Sequence, residues 1–345
     1  MKRHLKSLFK VSMACITMGT IAMMVGLLLG GAGELSREVK ELVHVVRTGV
    51  SETVERIPML ESLTNINGFT LVVDKDEVSV DMNEQYETMN GDYVNIELAE
   101  SSEVQNLNVS ILNGTCRIVS TESGYYGVSS TDADDYQCYA ENGTLYLNAF
   151  PGKFGKVEED AEIVLYVPEN VILDKAYIFC SGDGFSAEVP LKGKELHLSS
   201  IRGDNTFYGS FEFDEVVMNI GVGSFEMNGL TAGDIKLEVS TAEAKFKELY
   251  SEGLSVNLGM GSLYIEGDIA GNVELNCGMG SLDMKLMQAQ NSYNYDISGS
   301  AESVQIGTDT LAGMVMERWI DNGSQRLITL SCAMGSVKIE FAQPD

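Results

Sequence analysis

The sequence predicts an all-β fold, a β-solenoid of stacked coils of about 19 residues, preceded by a transmembrane helix and a short amphipathic stalk helix. Beyond Pro58, short runs alternate apolar and polar residues, which is typical of strands with one buried face. Glycine is abundant at 35 residues and proline is rare at 5, a composition that suits tight turns. The letters GMGSL also occur twice, starting at Gly259 and Gly278. A motif that returns at a fixed interval indicates a repeat architecture.

The N-terminus predicts a membrane anchor. Residues 1–10 form a cytoplasmic tail with four basic residues and no acidic one, and Val11–Gly33 follows as 23 residues without a charge. At 1.5 Å per residue, a helix of this length crosses the hydrocarbon core of a bilayer. A cleaved signal peptide has a similar layout, but this apolar run is longer than a usual signal core and no A-x-A site ends it. The positive-inside rule then predicts localisation at the cell membrane, with a cytoplasmic N-terminus and an extracellular C-terminal domain.

Residues 34–57 predict an amphipathic helix that stands the next domain off the membrane. Apolar residues recur every three or four positions among charged ones: Leu35, Val39, Leu42, Val46, Val50, Val54 and Ile57. That spacing is typical of a helix with one apolar face, and Pro58 ends it. The alternative is a short coiled coil that dimerises the protein, which Gly49 weakens.

A repeat domain is expected over residues 63–341. Steps of 19 residues back from Gly259 reach turn-like positions, and each position leads into an alternating run. The residue before each turn is apolar, and these residues should point inward and stack on one another. The inward positions are Ile201, Ile220, Val239, Leu258 and Cys277. A last copy of the turn, in CAMGSVKIEF, follows a longer polar insertion.

The glycines of GMGSL are interpreted as structural. A dinucleotide site needs G-x-G-x-x-G at the start of a helix, whereas Tyr264 occupies the sixth position here and a strand-like run follows. We expect these glycines to provide positive φ angles and close approach of neighbouring coils. Residues 202–204 spell the tripeptide RGD, but they fall in the turn register and are interpreted as ordinary corner residues.

No catalytic, cofactor-binding, metal-binding or ligand-binding residue can be named from the sequence. The acidic runs 131–135 and 182–184 lack the spacing of calcium loops and are interpreted as solvated surface. His4 falls in the tail, His44 in the stalk helix and His197 in a strand, so the histidines cannot build a triad or a zinc site. We therefore expect a protein that is not an enzyme and has no cofactor.

The charge of the chain limits its partners. The formal net charge is −28, with 51 acidic and 23 basic residues. Such a surface repels nucleic acid, so none is expected as a partner. An enzyme that processes acidic polysaccharides on a β-helix is weakened by the same argument.

The chain has six cysteines, one of which lies in the predicted membrane segment. If a bridge forms in an exported domain, Cys116 and Cys138 are the pair expected to form it, because export leads to an oxidising environment. Buried free thiols are preferred over a bridge, since they behave as small apolar residues and a chain of this length needs no disulfide for stability.

Four stretches carry a family resemblance: ENGTLYLNAF, AEIVLYVPENVILDKAYIFCSGDGFSAEV, the GxGS turns and SCAMGSVKIEF. They resemble the bacterial putative-adhesin family of β-strand-repeat proteins, a domain of unknown function, over about Leu63–Phe341. The resemblance implies a surface-exposed solenoid without recognised catalytic residues. We therefore expect a membrane-anchored, extracellular, non-catalytic binding, adhesion or structural module at the bacterial cell envelope, with a cell-wall or surface-protein ligand. The alternative is an envelope-stress sensor that acts through a membrane signalling partner.

Overall fold

The computed structural model describes residues 69–74, 77–82, 85–112, 114–149, 162–181, 184–300, 303–311 and 316–343. The predicted tail, transmembrane segment and stalk helix, which together span residues 1–57, lie outside these residues. Within the described ranges, no helix is long and apolar enough to cross a membrane. The predicted membrane-anchored localisation is corrected accordingly and is not carried further.

The described residues form an all-β structure. Its strands are β1 Phe69–Asp74, β2 Glu77–Met82, β3 Met89–Glu100, β4 Asn106–Ile111, β5 Thr115–Thr121, β6 Tyr125–Glu141, β7 Thr144–Ala149, β8 Glu162–Pro168, β9 Ile172–Cys180, β10 Gly184–Glu188, β11 Leu191–Ser200, β12 Asp204–Ile220, β13 Ser224–Val239, β14 Glu243–Leu258, β15 Ser262–Ile269, β16 Val273–Cys277, β17 Ser281–Ala289, β18 Asn294–Gly299, β19 Ser303–Ile306, β20 Asp309–Leu311, β21 Met316–Ile320, β22 Leu327–Cys332 and β23 Ser336–Gln343. Two single 3₁₀ turns, Ser101–Glu103 and Gln290–Ser292, interrupt this pattern. β1 and β2 pair with each other in a separate antiparallel sheet.

The middle of the chain pairs in parallel at the interval expected from the sequence. Ile220 lies opposite Val239, Val239 opposite Leu258, and Leu258 opposite Cys277. Neighbouring positions in these ladders are 19 residues apart. All four side chains are buried. The inward column of apolar residues is therefore confirmed from Ile220 to Cys277.

The first member of the predicted column is misplaced by one residue. Ser200, rather than Ile201, lies opposite Ile220. The earlier ladders have an interval of 20 residues, and a register shift between Tyr208 and Phe211 marks the change to 19. A β-bulge of this kind adds one residue to one strand without moving the pairs on either side.

The strand ladders close into a ring, and the predicted β-solenoid of stacked coils is therefore wrong. The two helices predicted before it lie outside the described residues. β6 pairs with both β7 and β8 in antiparallel fashion, and β12 pairs with both β10 and β11. Between these two strands, one series of ladders runs β7–β4–β9–β11 and the other runs β8–β5–β10. β6 and β12 each have 17 residues, so each is long enough to pair with a strand of both series. The other strands lie outside this ring.

Chain order and spatial order differ near both ends of the large sheet. β4 lies between β7 and β9, and β22 lies between β16 and β18. Three further strands pair in antiparallel fashion with the edges of these strands: β3 pairs with β6, β20 with β19 and β21 with β18. Covering an edge in this way removes free backbone groups that would otherwise pair with another chain.

The interior contains a stack of phenylalanine rings. The ring centroids of Phe185 and Phe207 are 5.4 Å apart, those of Phe207 and Phe225 are 5.3 Å apart, and those of Phe225 and Phe246 are 5.5 Å apart. All four side chains are buried. Aromatic pairs at this separation stabilise the core beyond the area that they bury.

Candidate ligand-binding face

Five neighbouring strands present a row of mostly aromatic side chains on one outer face. From β6 through β7, β4, β9 and β11, the residues directly opposite one another are Tyr139, Tyr146, Asn108, Tyr177 and His197. We call these five residues the aromatic row. Strands are about 4.8 Å apart, so the row is about 19 Å long. Its four rings are partly exposed, whereas Asn108 is buried between them.

Alternation along each strand explains why the rings point outward. Tyr177 lies between the buried residues Ala176 and Ile178, and His197 lies between Leu196 and Leu198, which are also buried. Successive side chains of a strand point to opposite faces of the sheet. The apolar neighbours thus fix the outward direction of the two rings.

The rings at each end of the row are stacked. The centroids of Tyr139 and Tyr146 are 5.0 Å apart, and those of Tyr177 and His197 are 4.8 Å apart, with interplanar angles of 24° and 17°. Tyr86 extends the first stack, since its ring lies 3.6 Å from that of Tyr139. Its backbone carbonyl accepts a hydrogen bond from Gln137 Nε2, which fixes the turn to β6. The result is two stacks of aromatic rings on one face, which we call the two platforms; within each stack, neighbouring rings cover one another's faces.

The hydroxyls of Tyr86 and Tyr139 stay protonated over the physiological range. The Glu141 carboxylate, which is hydrogen-bonded to the Tyr86 hydroxyl, raises the pKa of Tyr86 to about 12. Burial raises the pKa of Tyr139 to about 12 as well. The Tyr139 hydroxyl can therefore donate a hydrogen bond to a ligand at neutral pH, whereas the Tyr86 proton is already donated to Glu141.

A charged pair lies beside the second platform. Lys175 Nζ is 2.8 Å from Glu195 Oε2, and the same oxygen is 3.4 Å from His197 Nε2. The hydrogen bond from Lys175 lowers the pKa of Glu195, and Glu195 in turn raises the pKa of Lys175. The side chains remain 43% and 35% exposed, so they can also reach a ligand.

The same outer face continues as a shallow groove with polar walls. Beyond His197, the next residues in the row are Val217, Lys236, Ser255, Glu274 and Thr329. We call these five residues the polar groove; they line one depression together with Glu215, Asp234 and Asn272. This half of the face offers hydrogen-bonding and charged groups but no aromatic ring in its row.

The GMGS corners bring glycine backbones into close contact. A Cβ atom on Gly261, Gly280 or Gly335 would overlap a carbonyl oxygen of the neighbouring corner. The close approach predicted for these glycines is therefore confirmed. Gly261 and Gly280 do not have a positive φ, so that part of the prediction is wrong for them.

Exposed methionines follow the same corner from strand to strand. The exposed fractions are 51% for Met260, 47% for Met279 and 62% for Met334. The backbone N–H of Met279 donates to Gly259, and that of Met334 donates to Gly278, so the three side chains lie in succession. They form an apolar ridge away from the aromatic row.

The RGD tripeptide is a corner, as expected. Gly203 has a φ of 98°, and the Arg202 carbonyl accepts a hydrogen bond from Asn205 Nδ2 at 3.2 Å. The Asp204 carboxylate accepts a hydrogen bond from Ser224 Oγ at 2.6 Å. These contacts hold the backbone of the corner and the Asp204 carboxylate in place.

The acidic run 131–135 lies within β6, and the Asp132 backbone N–H donates to the Asp92 carboxylate at 2.8 Å. No group of three potential metal ligands occurs among the residues that the structure describes. Residues 182–183, His4 and His44 lie outside those residues. Of the three histidines in the sequence, only His197 lies among the described residues, and it belongs to the aromatic row.

The sequence interpretation did not identify the aromatic row. The signal was present as TLYLNAF and AYIFC, where tyrosine occupies outward positions of alternating runs. Bringing Tyr146 and Tyr177 into one row, however, requires β4 to lie between β7 and β9, out of chain order. A constant sequence interval does not reveal that arrangement.

No protein-family model matches the chain, and no curated protein matches it either. Solved structures do resemble it. A putative adhesin from Parabacteroides distasonis has a TM-score of 0.41 at 12% identity, covering 74% of this chain and 97% of that one. A putative adhesin from Bacteroides fragilis has a TM-score of 0.40 at 12% identity, covering 73% and 97%. A putative lipid binding protein from P. distasonis has a TM-score of 0.36 at 14% identity, covering 74% and 96%.

Proposed function

We propose that this chain is a non-catalytic binding module that holds an extended, uncharged oligosaccharide along the aromatic row. The observation that carries the proposal is the pair of ring stacks, Tyr139–Tyr146 and Tyr177–His197, aligned on one face. The C–H face of a pyranose is flat and apolar, and it packs well against a ring face that no neighbouring ring covers, as on the Asn108 side of Tyr146 and of Tyr177. Two platforms in line favour a chain of sugars over a single one.

Polar groups around the rings suit the hydroxyls of a sugar. Lys175 and Glu195 lie beside the second platform, and the Tyr139 hydroxyl remains protonated at neutral pH. Aromatic surface combined with a few hydrogen-bonding groups is the usual composition of a binding site for a small ligand. Such a site provides both stacking and orientation.

The charge of the protein favours an uncharged ligand. With a formal net charge of −28, the molecule repels acidic polysaccharides and nucleic acids over distances of about a Debye length. A neutral glycan experiences no such repulsion. Of the two ligand classes expected from the sequence, a cell-wall or other glycan polymer therefore fits the row better than a surface protein.

A binding role without catalysis agrees with the lowered pKa of Glu195, the carboxylate beside the second platform. Lys175 lowers the pKa of Glu195, so this carboxyl is ionised at neutral pH and is a poor general acid. Glycoside hydrolysis needs a carboxylic acid with a raised pKa close to a second carboxylate. The row holds a glycan but lacks that arrangement.

The test is direct binding of soluble neutral polysaccharides, namely a β-glucan, a mannan, a galactan and a xylan, with polygalacturonate as the acidic comparison. We expect at least one neutral polymer to bind, with Tyr146→Ala and Tyr177→Ala each weakening its affinity about tenfold. Tyr250→Ala is the matched control, because Tyr250 is exposed on β14, away from the row.

Three outcomes would overturn the proposal. Binding that is equally sensitive to Tyr250→Ala would remove the row as the site. Preference for polygalacturonate would contradict the charge argument. Shortening of a bound polymer during incubation, seen by size-exclusion chromatography, would contradict a non-catalytic role.

A further inference from the structure

Two cysteines lie directly opposite each other in the parallel ladder between β16 and β22. Cys277 is the last residue of β16, Cys332 is the last residue of β22, and the two are register partners. Both side chains are buried among the inward residues. The Cα atoms of register partners are about 4.8 Å apart, within the range of about 4.4–6.8 Å in which disulfides form.

Among the described cysteines, this direct pairing is confined to Cys277 and Cys332. Cys116 lies opposite Ile163 and Phe185, and Cys138 lies opposite Leu147. A bridge between Cys116 and Cys138, the pair that the sequence suggests if one forms, is therefore not set up by the ladders. All five described cysteines are free thiols in this structure.

The two sulfur atoms have different environments. Cys277 Sγ donates a hydrogen bond to the Gly280 carbonyl at 3.4 Å. The hydrogen bond between the two thiols raises the pKa of Cys277 and lowers that of Cys332.

We propose that Cys277 and Cys332 are a site of reversible disulfide formation, with a low-molecular-weight disulfide as the oxidant. One of the two cysteines, as its thiolate, attacks one sulfur of the oxidant, which forms a mixed disulfide and releases one thiolate. The other thiol then loses its proton and attacks the protein sulfur of the mixed disulfide, which releases the second thiolate. In total the protein loses two protons and two electrons, and the oxidant is reduced to two thiols.

The position of the pair gives the bond a structural consequence. β22 lies between β16 and β18, although β18 precedes it in the chain. During folding, β22 must therefore insert between β16 and β18, and the thiols of Cys277 and Cys332 come together only after β22 has paired with β16. The bond would close a loop across 55 positions, which restricts the unfolded chain. Oxidation would thus hold the inserted strand in its register.

The experiment compares the full chain refolded in a glutathione buffer rich in the disulfide with the chain refolded under a reducing agent. Peptide mapping of the oxidised sample should show one internal disulfide, between Cys277 and Cys332. The melting temperature, Tm, should rise by about 5–10 °C relative to the reduced sample. Adding the reducing agent to the oxidised sample should remove that rise.

Matched variants separate this effect from general oxidation. Cys332→Ala should abolish the rise in Tm, whereas Cys138→Ala should leave it intact. Peptide mapping of the unaltered chain needs no variant, so the result holds even if Cys332→Ala folds poorly. Recovery of a bridge between Cys116 and Cys138, or of reduced Cys277 and Cys332 throughout, would overturn the proposal.

Discussion

The aromatic row and the polar groove occupy the same outer face on neighbouring strands, yet their chemistry differs. Across the boundary, His197 lies opposite Val217, and Val217 lies opposite Lys236. Rings stand on one side, and aliphatic, charged and hydroxyl side chains stand on the other. The backbone ladder continues through the boundary without interruption, so the difference belongs to the outward side chains alone.

The inward side of the same strands does not change in this way. Leu196, Val216 and Ile235 lie one behind another and are all buried. Close packing of the interior restricts what can occupy these positions, whereas an outward position needs only to tolerate solvent. The comparison therefore indicates that binding chemistry can vary at the outward-facing positions, which are every second residue of a strand, while the inward positions stay apolar.

The largest effect is expected where the scaffold shared by both regions is most crowded. Gly280→Ala places a Cβ against the Gly261 carbonyl oxygen and close to Leu258. Backbone atoms at that distance cannot move aside cheaply, so we expect a loss of about 3–5 kcal/mol in the free energy of unfolding. Chemical denaturation followed by circular dichroism measures it.

Gly124→Ala is the matched control, since a Cβ there meets nothing within 4 Å and Gly124 lacks a positive φ. It should change the free energy of unfolding by less than about 0.5 kcal/mol. Equal effects of the two substitutions would show that the corner contact is not the reason for glycine in GMGSL.

The inner aromatic stack should produce the next largest effect. Phe207 is in ring contact with Phe185 and Phe225 and is fully buried. Phe207→Ala removes a large side chain and leaves a cavity, so we expect a loss of about 3–4 kcal/mol in the free energy of unfolding. Phe207→Leu should cost about half as much. If glycan affinity is measured on folded protein at low temperature, it should stay unchanged.

The register of the middle strands could be predicted from the sequence, because GMGSL and the column from Ile220 to Cys277 repeat at a constant local interval. The closure through β6 could not. Its antiparallel pairing with β7 and β8 joins segments that do not share the repeat, and no local pattern distinguishes an antiparallel partner from a parallel one. The row depends on this long-range pairing, which is why tyrosines visible in the sequence did not predict a site.

A smaller effect is expected from extending the row into the groove. Val217→Tyr places a ring directly beside His197, at the next strand of the same face. One more stacking contact should strengthen binding of a long neutral oligosaccharide about threefold to tenfold. A short oligosaccharide that already fits the row should gain nothing. Isothermal titration calorimetry with a length series distinguishes these results.

Ser255→Tyr is the control for that substitution. Ser255 belongs to the same face but lies two strands beyond Val217, separated from it by Lys236. Its ring cannot stack on the row, so the affinity should not change. An equal gain from both substitutions would mean that added aromatic surface, rather than continuity of the row, improves binding.

The smallest effect is expected from the Lys175–Glu195 pair beside the second platform. Lys175 lowers the pKa of Glu195, so the stabilisation is present above the ordinary pKa of a glutamate. It is lost as the pH falls through the lowered pKa of the folded state. Because both side chains are partly exposed, solvent screens the pair, and Glu195→Gln should cost only about 0.2–1 kcal/mol at pH 7.

The direction of the pH dependence distinguishes the charge interaction of Lys175 and Glu195 from contributions that do not depend on pH. The difference in the free energy of unfolding between the unaltered chain and Glu195→Gln should shrink when the pH is lowered from 7 to about 3, since the carboxyl of the unaltered chain becomes protonated. It should also shrink in 1 M salt. Glu252→Gln, at an exposed position on β14, should show neither change. A difference that stays constant on acidification would mean that Glu195 stabilises the fold by its packing rather than by its charge.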